Sequence, residues 1–138
     1  MTSVAKPPTR PPIVLGQTDA ERLSALALQH EAANPGVAQL LLDEIARARI
    51  RPDHAVRSDI VGMNSTVEFR DEAHSRERTV RLVYPTDADI SDGRISVMTP
   101  IGAGLIGLAA GQAILWPDRR GEKRVLRLLR VVRSPETA

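Results

Sequence analysis

Apolar residues recur at helical spacing through the first third of the chain and alternate with polar ones over most of the remainder. Leu23, Leu26 and Ala27 form a first helical stripe. Thr18-Asp19-Ala20-Glu21 precedes it with the pattern of a capping box, in which Thr18 takes the N3 amide and Glu21 reaches back to the cap amide. "NPG" at Asn34 to Gly36 interrupts the stripe, with Asn34 placed to cap a second helix and Pro35 to open its first turn. Val37, Leu40, Leu41, Ile45 and Ala48 then recur at helical spacing. This predicts an antiparallel hairpin of helices, each of about 15 residues and so roughly 22 Å long.

Pro52 closes that unit and the period changes. "DIVGMNSTVEF" and "RTVRLVYP" are β-rich and are expected to pair through the charged turn "RDEAHSRE". "GRISVMT" reads as a further strand. "ILWP" and "RVLRLLRVV" flank "DRRGEK" as a terminal hairpin, although Val125, Leu128, Leu129 and Val132 would also form one face of a helix. Residues 1–12, with four prolines, read as a disordered tail, 13–51 as the helical hairpin, 52–133 as the main domain and 134–138 as a second tail.

Composition narrows the function classes. A chain of 138 residues makes one compact domain with an appendage. One Phe, one Tyr and one Trp leave an aliphatic core and little with which to line a pocket for an organic ligand, so no small-molecule substrate is expected. The high isoelectric point beside a net charge of only +2 follows from 17 arginines among the 19 basic residues and almost no group titrating between pH 7 and 10, so it carries no message about nucleic acid. Asp19 to Arg49 holds five acids and three bases, whereas Asp118 to Arg133 holds two acids and seven bases. That basic end lacks interleaved aromatic residues, which argues against direct nucleic-acid binding. Without cysteine there is no disulfide framework, and without an apolar leader or an apolar run of about 18 residues the expected setting is the cytoplasm and not a membrane.

Gly102, Gly104 and Gly107 match G-x-G-x-x-G, but Thr99 and Pro100 start the following helix before the glycines, so the amides that would cradle a phosphate are misplaced. The glycines are read as packing residues that bring a short helix carrying Ile101, Leu105, Ile106 and Leu108 close to a sheet, with Gly111 ending it. His30, His54 and His74 fall in no metal-ligand spacing, and Asp87, Asp89 and Asp92 lack the spacing of a calcium loop and are read as a polar connection. No cofactor, metal or catalytic residue is expected.

From Thr79 to Pro117, "TVRLVYPTDADISDGRISVMTPIGAGLIGLAAGQAILWP" resembles the C-terminal domain of the Gre transcript-cleavage factors and, more closely, their short relatives of the Rnk type, regulators of nucleoside diphosphate kinase. "DIVGMNSTVEF" resembles the entry strand of the same family. The resemblance implies an α+β, FKBP-like fold: an antiparallel sheet wrapped around one short helix, preceded by the helical hairpin, with the C-terminal segment a strand. It also implies docking at the rim of the secondary channel of RNA polymerase through Met98, Thr99, Pro100 and Ile101. Gre factors carry several acidic residues at the tip of a long arm, where a carboxylate pair can help hold a second metal ion. The corresponding tip here, with Glu31, Asn34 and Pro35, offers one carboxylate on a shorter arm. The expectation is therefore a non-enzymatic transcription regulator that competes with Gre factors without stimulating cleavage. Two alternatives are a module that binds another protein through the hairpin, and a prolyl isomerase, for which Phe69, Tyr84 and Trp116 are too few to line the pocket.

Overall fold

The structure, a computed structural model, describes residues 11–72, 75–117, 120 and 122–133. The chain enters through β1 (Val14–Gly16), runs out along α1 (Gln17–Gln29), returns along α2 (Pro35–Arg47) and re-enters as β2 (Arg49–Arg51), which pairs in parallel with β1. Then follow β3 (Thr66–Asp71), β4 (Arg76–Val83), β5 (Arg94–Ser96), α3 (Pro100–Leu105), β6 (Ala113–Pro117) and β7 (Lys123–Val132), with the strands ordered β5-β4-β3-β7-β6 in one sheet. The fold is mixed α+β. The sheet is mixed as well, since β5 lies parallel to β4 while the other pairs are antiparallel. The expectation of an antiparallel sheet is corrected at that edge: the chain leaves β4 through the turns at 85–87 and 90–92 and doubles back far enough to start β5 in the same direction.

The helices end where the sequence indicates, with Asn34 and Pro35 at the start of α2, but each holds 13 residues, or about 20 Å. The capping box does not form. Gly16 is the cap of α1 and makes no side-chain bond, because β1 carries extended chain straight into the helix. Thr18 instead gives its amide and its hydroxyl to the carboxylate of Asp53, 35 residues along the chain. A remote acid thus satisfies an orphan donor of the first turn and places negative charge at the positive helix end.

"DIVGMNSTVEF" becomes a strand only from Thr66, because Asn64 takes a left-handed φ of 69° and the amides before it are directed elsewhere. Gly62 N–H donates to Ser65 Oγ at 3.0 Å and Met63 N–H to Asp19 Oδ2 at 3.1 Å. The terminal ambiguity resolves as a strand: β7 runs between β3 and β6 and buries Leu126 and Leu128 on one face. Its arginines meet carboxylates of β3 and the turn after it, Arg124 with Asp71 at 2.8 Å, Arg127 with Glu72 at 2.8 Å and Arg130 with Glu68 at 3.6 Å. Three arginines of β7 are therefore paired across the sheet, the exposed pairs of Arg127 and Arg130 being worth roughly 0–1 kcal/mol each.

One apolar cluster joins the arm to the sheet. Leu15, Leu23, Ala27, Ala38 and Leu41 lie in it with Val67, Phe69, Leu82, Leu105 and Leu128. A fully buried Leu such as Leu23 or Leu41 stabilises the arm against the domain by about 1.5–3 kcal/mol. Helix α3 ends at Leu105, and the residue that turns the chain away is Gly107, at φ 82°, with Gly111 four residues later in a separate turn. Ile106 and Leu108 are buried as expected, though beyond the helix.

Candidate functional site

A local set of bonds builds the corner between β5 and α3. Thr99 Oγ1 donates to Ser96 O at 2.7 Å and accepts from Gly102 N–H at 3.1 Å, while Ser96 Oγ accepts from Met98 N–H at 2.9 Å. Pro100 fills the first helical position, where its missing N–H costs nothing. Gly102 lets the helix start sit directly on the end of β5: an added Cβ would lie 2.2 Å from Ser96 O and 2.8 Å from the Val97 Cα. The packing reading of the glycine triplet holds at this position and at Gly107, whose φ and contact with Ile13 both exclude a side chain. At the start of α3, Gly102 N–H is already bound to Thr99 Oγ1 and so is not left to cradle a phosphate at the glycine triplet.

This corner forms one wall of a groove of about 680 Å³. Thr99, Pro100 and Ile101 line it together with Ile95, and Ile90 stands 73% exposed at its edge. Arg78, Arg120 and Arg124 line it too. Arg78 leans over the ring of Phe69, 6.0 Å from its centroid. Arg124 is held by Asp71, whose carboxylate is nearly buried. The result is an apolar floor with a cationic rim, which suits a partner surface presenting an apolar side chain flanked by carboxylates.

Three of the four expected docking residues are brought together there. Met98 is not: its side chain is buried in the core, because the chain turns inward at Val97 and Met98 to reach the helix. Glu31 and Asn34 sit in the turn between α1 and α2 and Pro35 opens α2, with Glu31 exposed. Sequence reasoning missed Arg78, Arg120, Arg124, Ile90 and Ile95. Arg78 reaches the groove only because β4 pairs with β3 in the register that sets Arg78 opposite Phe69, and no local pattern carries that.

The aspartates of the "PTDADISDG" loop are engaged within it. Asp89 accepts from the Ser91 hydroxyl and amide, bonds that hold its carboxyl below the ordinary value, and Arg94 reaches Asp92 at 3.1 Å and Asp89 at 3.8 Å. The polar-connection reading fits this arrangement. His30 and His54 lie in different parts of the fold, and His74 falls outside the described residues. Phe69 is buried beneath Arg78, whereas Tyr84 lines a different cleft, so the two do not build one aromatic pocket.

That second cleft, of about 540 Å³, lies where the start of α1 meets the domain, and it holds two carboxylates of opposite behaviour. Hydrogen bonds from the Thr18 hydroxyl and amide hold Asp53 below its ordinary 3.8, so its contribution to stability is present above that pH and is lost as pH falls through the lower folded value. Burial pushes Asp19 above 3.8 despite the Met63 amide and Arg133, so its favourable contribution is present at acid pH and is lost as pH rises through the raised folded value. Asp53→Ala is expected to lower Tm at pH 7, with the deficit narrowing below pH 3.8. Asp19→Asn, which keeps an acceptor for Met63 N–H, is expected to cost nothing at neutral pH. Thermal melts across this range check both signs.

Comparison with known proteins gives consistent matches. A family model described as "Transcription elongation factor, GreA/GreB, C-term" matches residues 56–132, and one described as "Rnk N-terminus" matches residues 11–50. The chain is 36% identical over 130 residues to the regulator of nucleoside diphosphate kinase of Escherichia coli (strain K12), covering 94% of this chain and 96% of that one. It is 35% identical over 88 residues to the transcription elongation factor GreA of Chelativorans sp. (strain BNC1), covering 64% of this chain and 56% of that one. A solved prokaryotic transcription elongation factor GreA/GreB from Nitrosomonas europaea superposes with a TM-score of 0.69 at 38% identity, covering 89% of this chain and 99% of that one.

Proposed function

The chain belongs to the GreA/GreB C-terminal family, in its short form with an Rnk-type N-terminus, and on that premise we propose that it is a non-enzymatic transcription regulator that docks on RNA polymerase near the secondary channel. The observation that carries the proposal is the groove: Thr99, Pro100 and Ile101 form its wall, and its arginine rim is suited to an acidic, apolar contact on the polymerase. The FKBP-like wrapping of the sheet around α3 belongs to the same reading, as does the cytoplasm as its setting.

The arm supports docking without cleavage. At about 20 Å it is short, and Glu31 is the only carboxylate in its turn. A lone carboxylate makes a poor divalent-ion site. The protein would occupy the channel entrance and exclude Gre factors from it, and any effect on nucleoside diphosphate kinase would follow from transcription. The test is binding to core RNA polymerase with a Gre factor as competitor, together with a transcript-cleavage assay. Saturable binding relieved by the competitor, with no stimulated cleavage, is the expected result. Absence of binding at micromolar concentration would redirect the function to another partner.

One observation favours a second reading, that of a module binding another protein through the hairpin: Leu28 is 60% exposed near the arm's turn. Leu28→Ser would abolish such binding and leave polymerase docking intact.

A further inference from the structure

A third cleft lies on the side of the arm's base and shares no lining residue with the docking groove. It measures about 320 Å³ and is walled by Val14, Pro12, Arg49, Arg51, Arg57 and Gln112, among others. Arg49 and Arg51 are two apart on a strand, so their side chains leave β2 on the same side, and both are exposed. Arg57 enters from the segment after β2 and is oriented by a two-point pair with Asp59, at 3.0 and 3.1 Å. Among the described residues no carboxylate pairs with Arg49 or Arg51, whereas Arg124, Arg127 and Arg130 of β7 each have one. Three guanidinium groups therefore converge on one concavity against a single carboxylate.

We propose that this cleft binds a small phosphate-bearing anion. Guanidinium forks match phosphate oxygens two at a time, and an anion offsets the positive charge of the three arginines that line the cleft. The size argues for a small ligand over a nucleic-acid backbone, since the three cations line a single cleft of about 320 Å³ flanked by Val14 and Pro12. The ligand would bridge β2, where the arm returns, to Arg57 and Gln112 of the domain. It would thereby fasten the base of the arm.

The test is calorimetric titration of the full chain with inorganic pyrophosphate, with adenosine diphosphate and with a single-stranded oligoribonucleotide. Saturable binding of pyrophosphate below about 1 mM is expected, weakened about tenfold or more in Arg49→Gln/Arg51→Gln and unchanged in Arg127→Gln. Both target side chains are exposed, and a thermal melt of the double variant verifies that it folds. Equal affinity for the diphosphate nucleotide would identify free phosphate as the source, and tighter binding of the nucleotide would show that the apolar wall seats its base. Either result supports the site. No binding of either small anion at about 10 mM, undiminished affinity in the double variant, or tighter binding of the oligoribonucleotide through the same arginines would overturn it.

Discussion

Gly102→Ala is expected to be strongly destabilising. The new Cβ would meet Ser96 O at 2.2 Å and the Val97 backbone at 2.8 Å, and neither is the movable end of a side chain. Relief would require α3 to lift from the end of β5, opening the contacts of Ala103 and Leu105, both fully buried. Overpacking of this kind costs about 1–3 kcal/mol, here at the upper end because backbone must move, which in a domain of this size lowers Tm by on the order of 10 °C. Gly36→Ala is the matched control. It adds the same methyl in α2 where nothing lies within 4 Å, and is expected to stabilise by about 0.5–1 kcal/mol. Differential scanning calorimetry of the two variants should show shifts of opposite sign.

Thr99→Asp should separate docking from folding. Aspartate caps a helix as well as threonine does, so its carboxylate can accept from Gly102 N–H and hold the start of α3. It cannot replace the hydroxyl's donation to Ser96 O, so part of any fall in Tm is expected from that lost bond. It also sets a negative charge beside Pro100 and Ile101, in a groove whose rim is cationic and whose proposed partner is acidic. Affinity for core RNA polymerase should fall about tenfold or more, the equivalent of about 1.4 kcal/mol per decade. Thr99→Ser, which keeps both hydroxyl bonds, should bind as the natural chain does. Competition binding measures this, with a melt of each variant alongside. Undiminished affinity in a folded Thr99→Asp would remove the groove from consideration as the docking surface.

Much of this architecture was legible in the sequence wherever an element was long enough to show a period. The arm helices, the β3–β4 hairpin and the Thr99–Pro100 helix start could be read locally, whereas local pattern leaves β7 open between strand and helix and the family resemblance implies the strand. β1 and β2 have three residues each, too few for alternation to register; β5, equally short, is readable in "GRISVMT", but its parallel place beside β4, like that of β2 beside β1, is chosen by tertiary contact. The capping box failed for a related reason. Its local chemistry was sound, but Asp53, brought in by the return of the arm, took the hydroxyl that a sequence pattern assigns to the helix's own amide. Of the groove, the corner residues were visible in advance and the arginine rim was not, because Arg78 and Arg124 converge only through the registers of β4 and β7 across β3. Met98 shows the opposite error, since adjacency to Thr99 in sequence did not make it a neighbour on the surface.

The arm leaves the domain at Gly16 and comes back at Arg49, on strands that lie side by side. Such an excursion closes on itself, so the distance between its ends is fixed by the β1–β2 ladder and is indifferent to how far the helices travel before turning. Matched insertions in the two helices would carry the turn outward and leave every contact at the base untouched, as a telescoping mast is raised without moving its footing. Reach is therefore a quantity that descent with modification can adjust in small steps, independently of the surface that anchors the protein to its partner.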